Sequence, residues 1–181
     1  ILSTGSELLE PGAPWAPGKI YDANGFQNAA RLRQLGFAVE RQQCSDSPEV
    51  ITGKMQELLT CCDAVITSGG VSVGQKDYLP LVLEKLGAQL LVEGVAQKPG
   101  SPMLAATLNG KLVFCLSGNP FAAAATLEQY AIPALLRAAG RREESCIPAR
   151  TVCTLTNGFS KASKGNRYLR ATASVSYTHL T

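Results

Sequence analysis

The sequence predicts an α/β fold with a mostly parallel sheet covered on both faces by helices. Three observations carry this. Short apolar runs alternate with stretches of helical periodicity along most of the chain. Polar, glycine-rich loops follow directly after several of the apolar runs. One Asn-Gly pair, in "MLAATLNGKLVFCLS", separates two runs by two residues, as a tight type I′ hairpin requires.

The elements follow in order. "ILS" reads as the tail of a strand. From Asp22 to Leu35, apolar residues fall at Phe26, Ala29, Ala30, Leu32 and Leu35, which is roughly helical spacing. Asn24 is a candidate N-cap and Gly36 a candidate stop. "FAVERQQC" reads as a strand. "SDSPEVITGKMQELL" reads as a helix with Ser47 as N-cap and Pro48 at the first position, where a missing N–H costs nothing. "AVITS" is a β-branched strand. "YLPLVLEKLG" is a helix closed by Gly87, and "LLVEGVAQ" is a further strand. Residues 120–138 read as one long helix rich in Ala and Leu. "CIPARTVCTLTNGF" reads as the start of an all-β module.

The 181 residues are enough for a substantial core. The net charge of +3 is small and the basic residues are scattered, unlike the basic stripe of a nucleic-acid binder. No apolar stretch approaches the roughly eighteen residues of a membrane span. The six cysteines show no CxxC spacing and no neighbouring histidine. They read as reduced thiols of a cytoplasmic protein. The only histidine, His179, lies in the terminal tail, so no nucleophile–base pair for acyl transfer is visible.

The chemistry concentrates in loops. "TSGGVSVGQKDY" at 67–78 puts Thr67, Ser68, Gly69, Gly70, Ser72 and Gly74 after a strand. Such a turn presents successive N–H groups as an anion cradle, but it also serves as a plain strand-to-helix connection. Asp77 follows it, either as a helix N-cap or as a ligand for a magnesium ion set between carboxylate and phosphate. Lys98, before Pro99-Gly100, is a point charge suited to an oxyanion, with the Ser101 hydroxyl beside it. In "LSGNP", Ser117, Gly118, Asn119 and Pro120 open the long helix, with Asn119 as cap. Glu7 and Asp46 are further acids at strand ends, read as caps, as surface acids or, with Asp77, as a metal-holding group. Loops that follow parallel strands meet at one edge of the sheet, where ligands bind in such folds. The whole pattern suits positioning and charge stabilisation, as in phosphoryl chemistry.

"STGSELLEPG", "IYDANG", "TSGGVSVGQKDY", "KPGSP" and "LSGNP" occur in that order. This series resembles the molybdopterin molybdenumtransferase family, which includes the E domain of gephyrin. The resemblance runs from about Ile1 to about Arg170. It implies a three-layer α/β/α molybdopterin-binding domain over 1–145, the truncated beginning of a C-terminal β domain over 146–172, and a non-native tail over 173–181. It implies magnesium-dependent insertion of molybdate into adenylylated molybdopterin, with release of AMP. By motif, Gly69, Gly70, Ser72 and Gly74 belong to the pterin–phosphate loop. Asp77 and Glu7 match the family's acids and would hold magnesium. Asp46 falls near the acid of the third segment, Lys98 matches the lysine of the KPG motif, and Gly118, Asn119 and Pro120 match the PGNP motif. The chain departs from the family at Ser6, Ser101 and Ser117, where the common patterns are TGDE, KPGKP and LPGNP. The resemblance also implies two further N-terminal domains, a homodimer in the full-length parent, and a molybdopterin adenylyltransferase as the upstream enzyme. Two alternatives stand beside it: a molybdopterin adenylyltransferase, and a non-catalytic, gephyrin-like binding scaffold.

Overall fold

The computed structural model describes residues 1–71, 78–161 and 165–173. Chain order is β1 (Leu2–Thr4), β2 (Leu8–Leu9), β3 (Ile20–Tyr21), α1 (Ala23–Gln34), β4 (Gln42–Cys44), α2 (Pro48–Cys61), β5 (Ala64–Ser68), α3 (Leu79–Lys85), β6 (Gln89–Glu93), β7 (Gln97–Lys98), β8 (Leu104–Leu108), β9 (Lys111–Leu116), α4 (Pro120–Thr126), α5 (Ile132–Ala138) and β10 (Asn166–Arg167). The main sheet has the order β4-β1-β5-β9-β8-β6. Its first four strands are parallel neighbours, and β8 and β6 add on antiparallel. None of the described helices is long and apolar enough to cross a membrane.

The alternation of side chains along the strands makes two cores, one on each face of the sheet. On one face Ile66, Ala105, Phe114 and Leu116 pack with Ala29 and Leu32 of α1 and with Ala123, Leu127 and Leu136 from the final helical segment. On the other, Leu2, Val65, Val113 and Ala106 pack with Ile51, Met55 and Leu58 of α2 and with Leu79, Val82 and Leu83 of α3. The result is the expected helix–sheet–helix sandwich. Each fully buried large aliphatic side chain contributes about 1.5–3 kcal/mol.

The Asn-Gly hairpin forms as expected, with Asn109 at φ 52° and Gly110 at φ 76° between β8 and β9. Several local expectations are corrected. The N-cap of α1 is Asp22, whose carboxylate accepts from Gly25 N, and Asn24 lies inside the helix. The strand expected at 37–44 is confined to Gln42–Cys44, because Phe37 and Val39 turn toward the α1 side of the core. The strand expected at 90–97 ends at Glu93, where Gly94 takes φ 77°. Ser47 and Pro48 do open α2, but the Ser47 hydroxyl donates to Glu49 and makes no cap bond. The helix at 120–138 is continuous but contains one π turn, Leu127–Ala131, just before Pro133. Proline lacks the donor an α-helical turn needs, and the wider turn accommodates it. Residues 147–161 form no strand, and Val152 is fully exposed. Of the tail at 173–181, only Ala173 is among the described residues.

Candidate functional site

The carboxyl ends of β1, β5 and β9 lie side by side, with Ser3 opposite Ser68 and Ser68 opposite Leu116. The chain leaves all three strands on the same rim. Gly69 N donates to Leu116 O at 3.0 Å, continuing the sheet contact one residue into the loop. Gly69 has φ +98°, and a Cβ there would collide with the carbonyl oxygen of Thr4. Glycine is therefore required both by the backbone angle and by the closeness of β1. A Cβ on Gly118 would stand 3.6 Å from Gly69 Cα, so the loops after β5 and β9 are in contact.

Asn24 ties these loops together. Its Nδ2 donates to Ser68 Oγ at 3.0 Å and to Gly118 O at 2.8 Å. Asn24 is held in place by the start of α1. Asp22, 2% exposed, accepts from Gly25 N at 2.8 Å and from Ser3 Oγ at 2.6 Å. Gly25 lies so close to β1 that any Cβ would strike Asp22 Oδ2 and Ser3 Oγ. "IYDANG" is thus a brace for the rim. Its asparagine has the spacing of a helix cap, and the bracing role is set by the contacts with Ser68 and Gly118 alone. The signal available was the run Asp-Ala-Asn-Gly, a capping acid followed one turn later by glycine.

Asn119 caps α4 as expected, its Oδ1 accepting from Ala122 N at 3.0 Å, and Pro120 takes the first position. The Ser117 hydroxyl accepts from Asn119 N at 3.2 Å. Thr67 and Ser68 are buried at the end of β5. The Oγ1 atoms of Thr67 and of Thr4, the latter lying against Gly69, have no protein partner among the described residues. Ser72, Gly74 and Asp77 lie outside the described residues. The cap position of α3, which Asp77 was expected to fill in one reading, is Tyr78, with no side-chain cap bond.

The acids sit on the neighbouring strand ends. Glu7 folds its carboxylate back over Gly5, just after β1. Gly5 N donates to Cys44 O, and Asp46 N approaches Ser6 Oγ at 3.5 Å, so the loops after β1 and β4 also touch. Glu7 and Asp46 do not gather with a third ligand around one point among the described residues. Their donors are carboxylate oxygens. That chemistry fits magnesium, which takes one or two carboxylates and keeps several waters.

Lys98 and Ser101 are exposed and line a cavity of about 700 Å³, together with Gln97 and, from the β10 region, Gly165 and Arg167. β7 pairs with β10 here, and Tyr168 N donates to Lys98 O. Arg167 was not foreseen as part of this wall. It stacks on Phe159, and its Nε has no partner among the described residues. The turn after Lys98 is seated on α4, since a Cβ on Gly100 would press on Thr126 Cγ2 at 2.7 Å and on Ala122 O at 3.4 Å. Tyr130 OH donates to Gln97 Oε1 at 2.8 Å. Burial, and then the neighbouring Tyr168, push the Tyr130 phenol above its usual range, so it stays a neutral donor. Gly70 and Asn119 are not among the residues lining this cavity. The KPGSP turn is nevertheless joined to the rim through the first turns of α4, which Asn119 caps.

Residues 1–137 match the family model described as a probable molybdopterin binding domain. The chain belongs to the molybdopterin-binding domain family. Within it, the chain is 38% identical over 186 residues to the molybdopterin molybdenumtransferase of Staphylococcus epidermidis, a match covering 100% of this chain and 43% of that protein. The enzyme of the same name from Staphylococcus aureus is 35% identical over 180 residues, covering 97% and 42%. The chain therefore spans less than half the length of these relatives. Among solved structures, the molybdopterin biosynthesis MoeA protein of Pyrococcus horikoshii superposes with a TM-score of 0.70 at 33% identity, covering 77% of this chain and 34% of that one. The tungsten cofactor synthesizing protein MoaB of Pyrococcus furiosus shares the fold, with a TM-score of 0.56 at 19% identity over 77% of this chain and 93% of that one. As a molybdopterin-binding domain, the chain has its motif loops on the strand-end rim where α/β sheets of this kind bind ligands.

Proposed function

We propose that this domain binds adenylylated molybdopterin on the rim and, in its full-length protein, inserts molybdate into the pterin dithiolene with release of AMP. The observation that carries this reading is the convergence of the loops after β1, β5 and β9, braced by Asn24 to Ser68 and Gly118. The turn at Gly69 and Gly70 offers the Gly70 N–H to a phosphate, and the Thr4 and Thr67 hydroxyls supply unpartnered polar groups close by. Lys98, with Ser101 and Arg167 in the same wall, provides positive charge for an oxyanion. Glu7 and Asp77, together with Asp46, would hold magnesium, which would supply charge neutralisation at the phosphate. On this reading residues 1–145 form the pterin-binding domain and 146–172 begin a second domain. The parent is a cytoplasmic homodimer supplied by a molybdopterin adenylyltransferase.

The full-length protein, incubated with adenylylated molybdopterin, magnesium and molybdate, should release AMP. No release at saturating substrate refutes the reading. Consumption of ATP with unmodified pterin would replace it by adenylylation. Lys98→Ala should lower AMP release about tenfold or more, the scale of a lost charge-assisted hydrogen bond.

A further inference from the structure

The opposite end of the sheet carries a second group of reactive side chains. β1, β4 and β5 are parallel, so their amino ends share the edge remote from the rim. Cys61 is the last residue of α2, and Cys62 lies two residues before Ala64, the first residue of β5. Glu40 precedes β4, and its backbone carbonyl accepts from the amino group of Ile1. The Glu40 carboxylate and the two sulfurs lie within 4.8 Å of one another. Cys61 and Glu40 are exposed and Cys62 is half-buried.

We propose that Glu40, Cys61 and Cys62 form a binding site for a thiophilic d¹⁰ divalent cation of the zinc and cadmium class. The decisive distance is Sγ to Sγ, 3.7 Å. Two thiolates bound to one zinc at about 2.3 Å with tetrahedral angles stand about 3.8 Å apart, so the sulfurs already occupy two corners of such a site. A carboxylate oxygen completes the third corner after a small rotamer adjustment, which the exposed Glu40 side chain is free to make. Gln42 Nε2 donates to Glu40 Oε1 at 2.8 Å and orients the carboxylate, as supporting groups do around metal ligands. Lys111 Nζ donates to the carbonyls of Leu59 and Cys62 at 2.7 and 2.9 Å, fixing the backbone that carries the sulfurs. Water fills the fourth position. Binding releases the two thiol protons to solvent, and no electron changes hands. Bound metal joins the end of α2 to the segment entering β4, a staple far from the pterin rim.

The test uses the full chain, kept reduced. Cadmium titration should give thiolate-to-metal charge-transfer absorption saturating at one equivalent, and zinc should bind at the same stoichiometry in competition with a chromophoric chelator and be displaced by cadmium. Cys61→Ser, Cys62→Ser and Glu40→Gln should each weaken binding by at least about tenfold, a scale seen even for groups that only support a metal ligand. Cys153→Ser, at an exposed thiol outside the group, should leave binding unchanged. Far-ultraviolet circular dichroism should be the same for every variant. The proposal is overturned by absence of the charge-transfer band, by equal affinity in the Cys61→Ser/Cys62→Ser double variant, or by a Glu40→Gln affinity equal to that of the unaltered chain.

Discussion

Replacing Asp22 by alanine removes three partners at once from the brace beneath the rim. The carboxylate caps α1 through Gly25 N, accepts from Ser3 Oγ at 2.6 Å and receives Arg41 Nη2 at 3.3 Å. Loss of the cap costs about 1 kcal/mol. The Ser3 hydroxyl, 1% exposed, is left without its acceptor, at about 1–3 kcal/mol. Arg41 keeps Glu10 at 2.9 Å and its stacking on Phe26, so its share is small, about 0–1 kcal/mol. The expected destabilisation is about 3 kcal/mol. Asp22→Asn is the discriminating control. Its Oδ1 still caps Gly25 N, and its amide can donate to Ser3 Oγ, so it should cost only about 1 kcal/mol, chiefly the lost attraction to Arg41. Urea unfolding followed by circular dichroism at neutral pH reads both values. An alanine variant that loses less than about 1 kcal/mol, or an asparagine variant that loses as much as alanine, would refute the hydrogen-bond account of the brace.

Three further outcomes follow from the same structure. Gly69→Ala should destabilise the fold by at least about 2 kcal/mol, because its left-handed backbone and the Thr4 carbonyl both oppose a Cβ. A variant as stable as the unaltered chain in urea unfolding would rule out the close approach of β1. Cys44 is a thiol pushed up to about 11, first by burial and then by the Asp46 carboxylate. It should therefore resist alkylation at pH about 8 while Cys61 and Cys153 react, as peptide mapping would show. The raised value also sets a sign. The stability that Cys44 contributes as a neutral thiol is complete below its unfolded value of 9.0 and is lost as pH rises toward about 11. Rapid labelling of Cys44 in the folded protein contradicts this.

Much of the site was legible because its signals are local. Asn119-Pro120 caps a helix wherever it stands, and Asn109-Gly110 builds its hairpin from two residues' own backbone preferences. The misplacements had a different origin. Phe37 and Val39 resemble strand residues in sequence, yet the return from α1 sends them to the helix side of the core. Asn24 looked like a cap because nothing in a string of letters reports Ser68 and Gly118, 44 and 94 residues away. Arg167 gave no signal either, since only the pairing of β10 with β7 brings it to Lys98.

By itself the sequence determined the α/β class, the order of most elements and the loops that make up the candidate site, because periodicity, caps and turn residues act over one or two turns of chain. Tertiary structure alone decided which loops touch, which hydroxyls lose their partners and where two neighbouring cysteines meet a distant glutamate. Those outcomes depend on strand order and register, which couple residues through packing and hydrogen bonds across the sheet and leave no periodic trace along the chain.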